Sequence, residues 1–212
     1  MAVGRTNGKR AAKARATRVR MLAAAHELFV EHGYGATALQ DIADAAGVAV
    51  QTIYFTFGNK RTLLKEVVDV AIAGDDEPVA TMDREWFTSS TAAATAAEQL
   101  AIHVAATAPI LARTAPVIKV VDTAAATDHE VAALWPDEAD PRYTVLLAAA
   151  RKLVSKPDAV PGMRARQVAD ILYGVLSPQL YLVFVEGRGW SPAKWSRWVL
   201  STLTAQLCTT GP

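Results

Sequence analysis

The chain has 212 residues, 51% hydrophobic and 20% charged, with one cysteine and a formal net charge of +1. That composition excludes a disordered, collagen-like or disulfide-stapled protein, and the length suits one or two domains with a sizeable core. The lone thiol, Cys208, fits a reducing cytoplasm, either as an incidental thiol on a terminal helix or as a redox sensor.

Charge is unevenly spread. Residues 1–20 carry seven basic side chains (Arg5, Lys9, Arg10, Lys13, Arg15, Arg18 and Arg20) and no acid, whereas the rest holds fifteen basic against twenty-one acidic groups. A flexible basic arm over residues 1–16 is expected, and it points to a polyanion at that end. The apolar stretch 21–30 is interrupted by His26 and Glu27 and has no secretory cleavage pattern. No uncharged apolar run reaches the ~20 residues of a membrane span; the longest, 171–185, is broken by Ser177, Pro178 and Gln179.

Strict apolar–polar alternation is scarce, so the fold is expected to be all-α. A first helix starts at Thr17 as N-cap, carries Val19, Leu22, Ala25, His26 and Phe29 on its inner face, and ends near His32 with Gly33 just past the end. A second, 38–45, is capped by Thr37 with Gln40 three residues on, a capping-box pattern, and turns Leu39, Ile42, Ala43 and Ala46 inward. Gly47 turns the chain into a third helix, 50–57, which Gly58 and Asn59 end. A fourth, 60–73, has Leu63, Leu64, Val67 and Val68 on its apolar side.

The run Gly-Asp-Asp-Glu-Pro at 74–78 marks a boundary before a second domain over 79–210. Helices are expected there at 91–108, 109–126, 141–156, 163–186 and 192–208. Pro109, Pro116, Pro136, Pro141, Pro157, Pro161 and Pro192 mark starts or breaks, and Pro178 kinks the fourth of them.

Residues 38–57 meet the demands of a helix-turn-helix: two short helices, a glycine turn, and small Ala43 where the helices cross. Ile42, Val48 and Ile53 can share a core, leaving Val50, Gln51, Thr52, Phe55 and Thr56 on an outer face able to enter the major groove. The competing reading is two helices of an ordinary bundle. Residues 1–65 hold ten Lys or Arg against four Asp or Glu, which favours DNA.

Phe29, Gly33, Tyr34, Thr37, Asp41-Ile42-Ala43, Ala46-Gly47-Val48, the run from Thr52 to Phe57, Asn59-Lys60 and Leu63-Leu64 together resemble the N-terminal domain of the TetR family of bacterial regulators. The resemblance covers residues 17–65. It implies an Ω-shaped homodimer with an operator-binding domain, linked by helix 4 to a helical domain that binds an inducer and dimerises. By that resemblance Thr37, Tyr54 and Lys60 hold phosphates. Gln40, Gln51 and Thr52 are candidate base readers, because Gln pairs bidentately with adenine and Thr meets either a polar edge or a thymine methyl. Val50 and Phe55 offer apolar contacts. Alternatively Tyr54 packs on helix 1 and Phe55 packs internally. Gln51 and Phe57-Gly58 stand where the family varies, so no operator sequence carries over.

In the second domain the resemblance implies a pocket among residues 90–180. Its candidate lining is His103, Trp86, Trp135 and Tyr143, with a satisfied core histidine and core-filling aromatics as the alternative. The faces formed by Ile171, Val175, Leu180 and Phe184 and by Trp195, Trp198, Val199 and Thr202 suit a four-helix dimer interface; alternatively both bury within one subunit. No cofactor, metal or catalytic residue is expected. His26-Glu27 and His129-Glu130 lack the second histidine of a zinc protease, and neither a phosphate-binding glycine loop nor a Gly-x-Ser-x-Gly elbow is present. A duplex-binding, ligand-released repressor is therefore expected, with an enzyme or small-molecule-binding protein lacking any DNA role as the alternative.

Overall fold

The computed structural model describes residues 3–75, 77, 79–135 and 140–209, with side chains from residue 8 onward. The side chain of Arg5 lies outside the described residues, as do Pro78 and Pro136. Among the described residues the fold is all-helical apart from a single antiparallel bridge between Ala159 and Cys208.

The elements are α1 (Val3–His32), α2 (Leu39–Ala46), α3 (Val50–Phe57), α4 (Lys60–Ala73), a 3₁₀ turn (Thr81–Asp83), α5 (Glu85–Ala92), α6 (Ala96–Ala125), α7 (His129–Ala132), α8 (Pro141–Leu153), α9 (Ala165–Val175), α10 (Pro178–Val185) and α11 (Pro192–Leu207). They form two compact units. One holds the chain up to Ala71 together with Val117–Leu134; the other holds Ile72–Pro116 and the chain from Trp135 onward.

Several boundaries differ from the sequence expectation, each for a local reason. α1 begins at Val3, not at Thr17, so the arm expected to be flexible is helical from residue 3 onward. Its residues 9–16 are Ala, Lys and Arg, strong helix formers that need no apolar face to persist beside a packed helix. The buried stripe of α1 is Met21, Leu22, Ala25 and Phe29, while Val19 is turned to solvent. In α6, Pro109 and Pro116 sit inside one 30-residue helix instead of breaking it. An interior proline costs about 3 kcal/mol. Here Leu100, Val104, Ala108, Leu111 and Ala115, at helical spacing, are all buried and hold the helix through that cost. α6 starts at Ala96 because Thr95 and Glu98 cap each other's amides (3.1 and 3.2 Å), and the Asp158 carboxylate accepts from Ala96 and Ala97. Pro178 begins a new helix in place of a kink: Ser177 Oγ accepts the Leu180 amide at 3.1 Å, with Pro178 in the first turn.

Stretches Ala96–Ala125 and Ala165–Val185 are long and apolar enough to cross a membrane by length and composition alone once a few charged residues are allowed. In the second unit Leu100, Val104, Val168 and Leu172 belong to one core with Trp195 and Leu203, and α6 also buries Gln99, His103 and Thr114.

Candidate nucleic-acid interface

The first unit is built on glycine-dependent turns at Gly33 and Gly47. Gly33 ends α1 at φ 84°, its amide donating to Phe29 O at 3.0 Å. Gly47 (φ 66°) ends α2 in the left-handed region, and the Gly47 and Val48 amides donate to Asp44 O and Ala43 O. Ala43 is fully buried where α2 meets α3, and Ile42 and Ile53 fill the shared core, while Val48 is half-buried. Arg20 Nε reaches Ala46 O at 3.3 Å and ties α1 to the end of α2.

Thr37 requires a correction. It is 2% exposed, and its hydroxyl donates inward to Gly33 O (2.8 Å) and Leu28 O (3.2 Å). It therefore braces the α1–α2 loop and presents no hydroxyl to a phosphate. The N-cap of α2 is Ala38, whose amide donates to the Asp41 carboxylate at 2.9 Å; the Thr37–Gln40 box does not form.

The outer face of α3 is open. Phe55 is 93% exposed, which rules out its packing in a core, and Tyr54 is 53% exposed. Gln51 is exposed; Val50, Thr52 and Thr56 are half-buried. The Thr56 hydroxyl donates to Thr52 O at 2.7 Å, so its donor is taken by its own helix. Gln40 is exposed but holds Asp44 at 2.8 Å along α2.

Beside this face lies a groove of about 560 Å³ lined by Ala38, Leu39, Gln40, Val50, Tyr54, Asn59 and Lys60. The first turns of α2, α3 and α4 all contribute to it. Helix N-termini carry unpaired amides and partial positive charge, so three of them around one groove favour an anion. Lys60 Nζ stands 4.3 Å from the Tyr34 ring centroid, and the Tyr34 ring lies 5.7 Å from that of Phe29. Burial lowers the Lys60 pKa, opposed by the nearby Asp41. Burial, then Asp128 and Glu130, raise that of Tyr34.

Three supporting groups were not assigned roles from sequence. Tyr34 carries Lys60. Asn59 caps α4 by accepting the Thr62 amide at 2.9 Å, a role that Asn directly before a helical run could have signalled. Arg61 pairs with Glu130, a long-range contact with no local signature.

Residues 21–67 match the family model for bacterial regulatory proteins of the tetR family. The N-terminal domain is a TetR domain. An uncharacterized HTH-type transcriptional regulator of Bacillus subtilis, YezE, is 40% identical over 53 residues, 25% of this chain and 27% of that protein. The Escherichia coli HTH-type transcriptional repressor ComR is 44% identical over 45 residues, 21% of each chain. These matches thus span about a quarter of the curated relatives. Solved structures share the whole TetR fold. The fatty acid degradation regulator FadR of Bacillus halodurans has a TM-score of 0.67 at 21% identity, covering 88% of this chain and 93% of its own. NalD of Pseudomonas aeruginosa, secondary repressor of the MexAB-OprM multidrug efflux pump, scores 0.63 at 20% identity over 91% and 97%. A Saccharomonospora viridis protein solved with choline scores 0.68 at 20% identity over 91% and 98%.

In the TetR-like second unit the expected ligand residues separate. Trp86 and His103 meet edge to face at 5.4 Å, His103 being 3% exposed. Tyr143 instead packs on Tyr173 at 5.8 Å, and its hydroxyl donates to Asp170 on α9 at 2.9 Å. Trp135 is half-buried just before α8. The expected dimer surface also needs correction. Trp195 and Val199 are fully buried, Trp195 against Tyr181 at 5.1 Å, because one side of α11 closes the subunit's own core. Ile171, Val175, Leu180, Phe184, Trp198 and Thr202 are half-buried, and Val183 is 55% exposed. Phe184 packs on Trp190 and Trp198 at 4.5 and 4.6 Å.

Proposed function

We propose that this chain is a transcription regulator of the bacterial cytoplasm that binds a duplex operator as a homodimer and is released by a small molecule. The observation that carries this reading is the open face of α3 beside a groove lined from three helix N-termini and Lys60. Gln51 and Thr52 supply edges for base readout, Phe55 and Val50 apolar contact, and Tyr54 and Lys60 a phosphate clamp. Gln40, at the rim of the groove, reaches bases only by leaving Asp44.

The repressor ComR supports repression as the sign of control. The choline-bound neighbour supports response to a small molecule, which this reading assigns to the second domain, over residues 79–210. Dimerisation rests on the half-buried aromatic and aliphatic surface of α9, α10 and α11, which a soluble monomer would leave wet. Helices α4 and α6 each run from one unit into the other. A ligand that binds the DNA-free geometry more tightly acts through them, and DNA must then weaken the ligand by the same factor.

Fluorescence anisotropy with random-sequence duplex, followed by selection of preferred sites, tests the proposal. Affinity should fall steeply with salt, and selected sites should be inverted repeats with half-sites about one helical turn apart. Salt-independent affinity, or selected sites without two-fold symmetry, would refute it.

A further inference from the structure

Two polar side chains sit one turn apart inside the second unit. Gln99 is 1% exposed and His103 3%, and their i, i+4 spacing places them on one face of α6. Gln99 Nε2 donates to Ala149 O at 2.8 Å, which fixes the amide orientation and leaves Oε1 pointing elsewhere. That oxygen has no hydrogen-bond partner, and neither has His103 Nδ1. Native interiors retain few such atoms, and each calls for an explanation. Two within one turn of one helix share an explanation most simply if one group meets both.

The chemistry of that group follows from the two atoms. Gln99 Oε1 only accepts; the Nδ1 of a neutral imidazole donates or accepts according to tautomer. Burial depresses the His103 pKa to about 4, so the imidazole is neutral near pH 7. A hydroxyl meets both atoms: its O–H donates to Gln99 Oε1 and its oxygen accepts from Nδ1–H. A carboxylate would face the Gln99 oxygen with like partial charge, and a quaternary ammonium offers no hydrogen bond. Polar and apolar groups both lie close to the pair, the buried Ser90 hydroxyl donating to Gln99 O at 3.1 Å. Leu100 and Val104 are buried beside it on α6, and half-buried Trp86 lies edge-on to the imidazole.

We propose that Gln99 and His103 form the polar end of a site for an uncharged, largely apolar molecule bearing one hydroxyl, with Trp86 as its aromatic wall. This deepens, and rests on, the reading of the chain as a ligand-responsive regulator.

Calorimetric titration of the full chain with thymol, naphthol and octanol, with their methyl ethers, and with benzyltrimethylammonium tests it. At least one hydroxyl compound should bind, its ether at least tenfold more weakly, and the cation not at all. His103→Phe, His103→Leu and Gln99→Leu should each weaken the hydroxyl compound at least tenfold. Melting of the unliganded chain separates binding from structural support. Either His103 variant should raise Tm, because an unpaired buried nitrogen is removed. The proposal is overturned if no hydroxyl compound binds, if the ether binds equally well, or if both His103 variants melt lower than wild type. Gel shift is read in parallel. Duplex binding without hydroxyl binding overturns this site alone; hydroxyl binding without duplex binding overturns the regulator reading alone.

Discussion

Replacing His103 by phenylalanine should remove an acid-sensitive part of the folding stability. In the unfolded chain the imidazole takes up its proton near the ordinary 6.5; in the fold, burial delays this until about 4. Between those values the unfolded state binds more protons, so the contribution is fully present above 6.5 and lost as pH falls toward 4. The gap corresponds to roughly 3 kcal/mol at its acid limit and about 2 kcal/mol near pH 5. Urea unfolding of wild type and His103→Phe, run in parallel from about pH 8 to 5, isolates the effect, because the carboxylates common to both chains cancel. The variant's stability relative to wild type should grow steadily with acid. A difference that stays constant over that range would refute the burial of a neutral His103.

Other substitutions probe the two surfaces. Thr37→Val should cost about 1 kcal/mol of stability, through two lost carbonyl partners, without changing the salt dependence of duplex binding; denaturation and anisotropy together check this. Gln51→Ala should relax base choice at one position per half-site, by about 1–3 kcal/mol, as read by site selection from random duplexes. Val183→Arg, on an exposed position, should yield monomers in light scattering with an unchanged circular dichroism spectrum. Trp195→Ala should instead lower stability by about 3–5 kcal/mol, measured by urea unfolding, because its ring fills the subunit core.

What sequence revealed was local. The span of α3 and α4, the turns at Gly33 and Gly47, and the Ser191–Pro192 start of α11 follow from chemistry contained within a few residues, and all stand as expected. The continuity of α6 was hidden because proline argues locally for a break, and only the buried row from Leu100 to Ala115 overrides it. Thr37 misled for a related reason. A hydroxyl one position before a cap has the same local signature whether it turns outward to a phosphate or inward to Gly33 O, and tertiary packing makes the choice. Trp195 and Trp198 lie three apart on one helix and look alike in a periodic pattern, yet one is buried and the other half-exposed.

The two prolines of α6 leave a mechanical signature. Neither Pro109 nor Pro116 has an amide hydrogen, so the carbonyls of Ala105 and Ala112 lose their usual partners one turn earlier. Between them, Thr114 Oγ1 draws on Ile110 O at 2.9 Å, a side-chain competitor of the kind that bends helices. The passage from the second unit to the first falls between Pro116 and Val117. Bending compliance along this 30-residue rod is thus concentrated in about two turns next to that passage. The amides flanking those turns should exchange with deuterium sooner than those nearer the capped start at Ala96, and torque applied at one end should be absorbed there before it strains the rest of the rod.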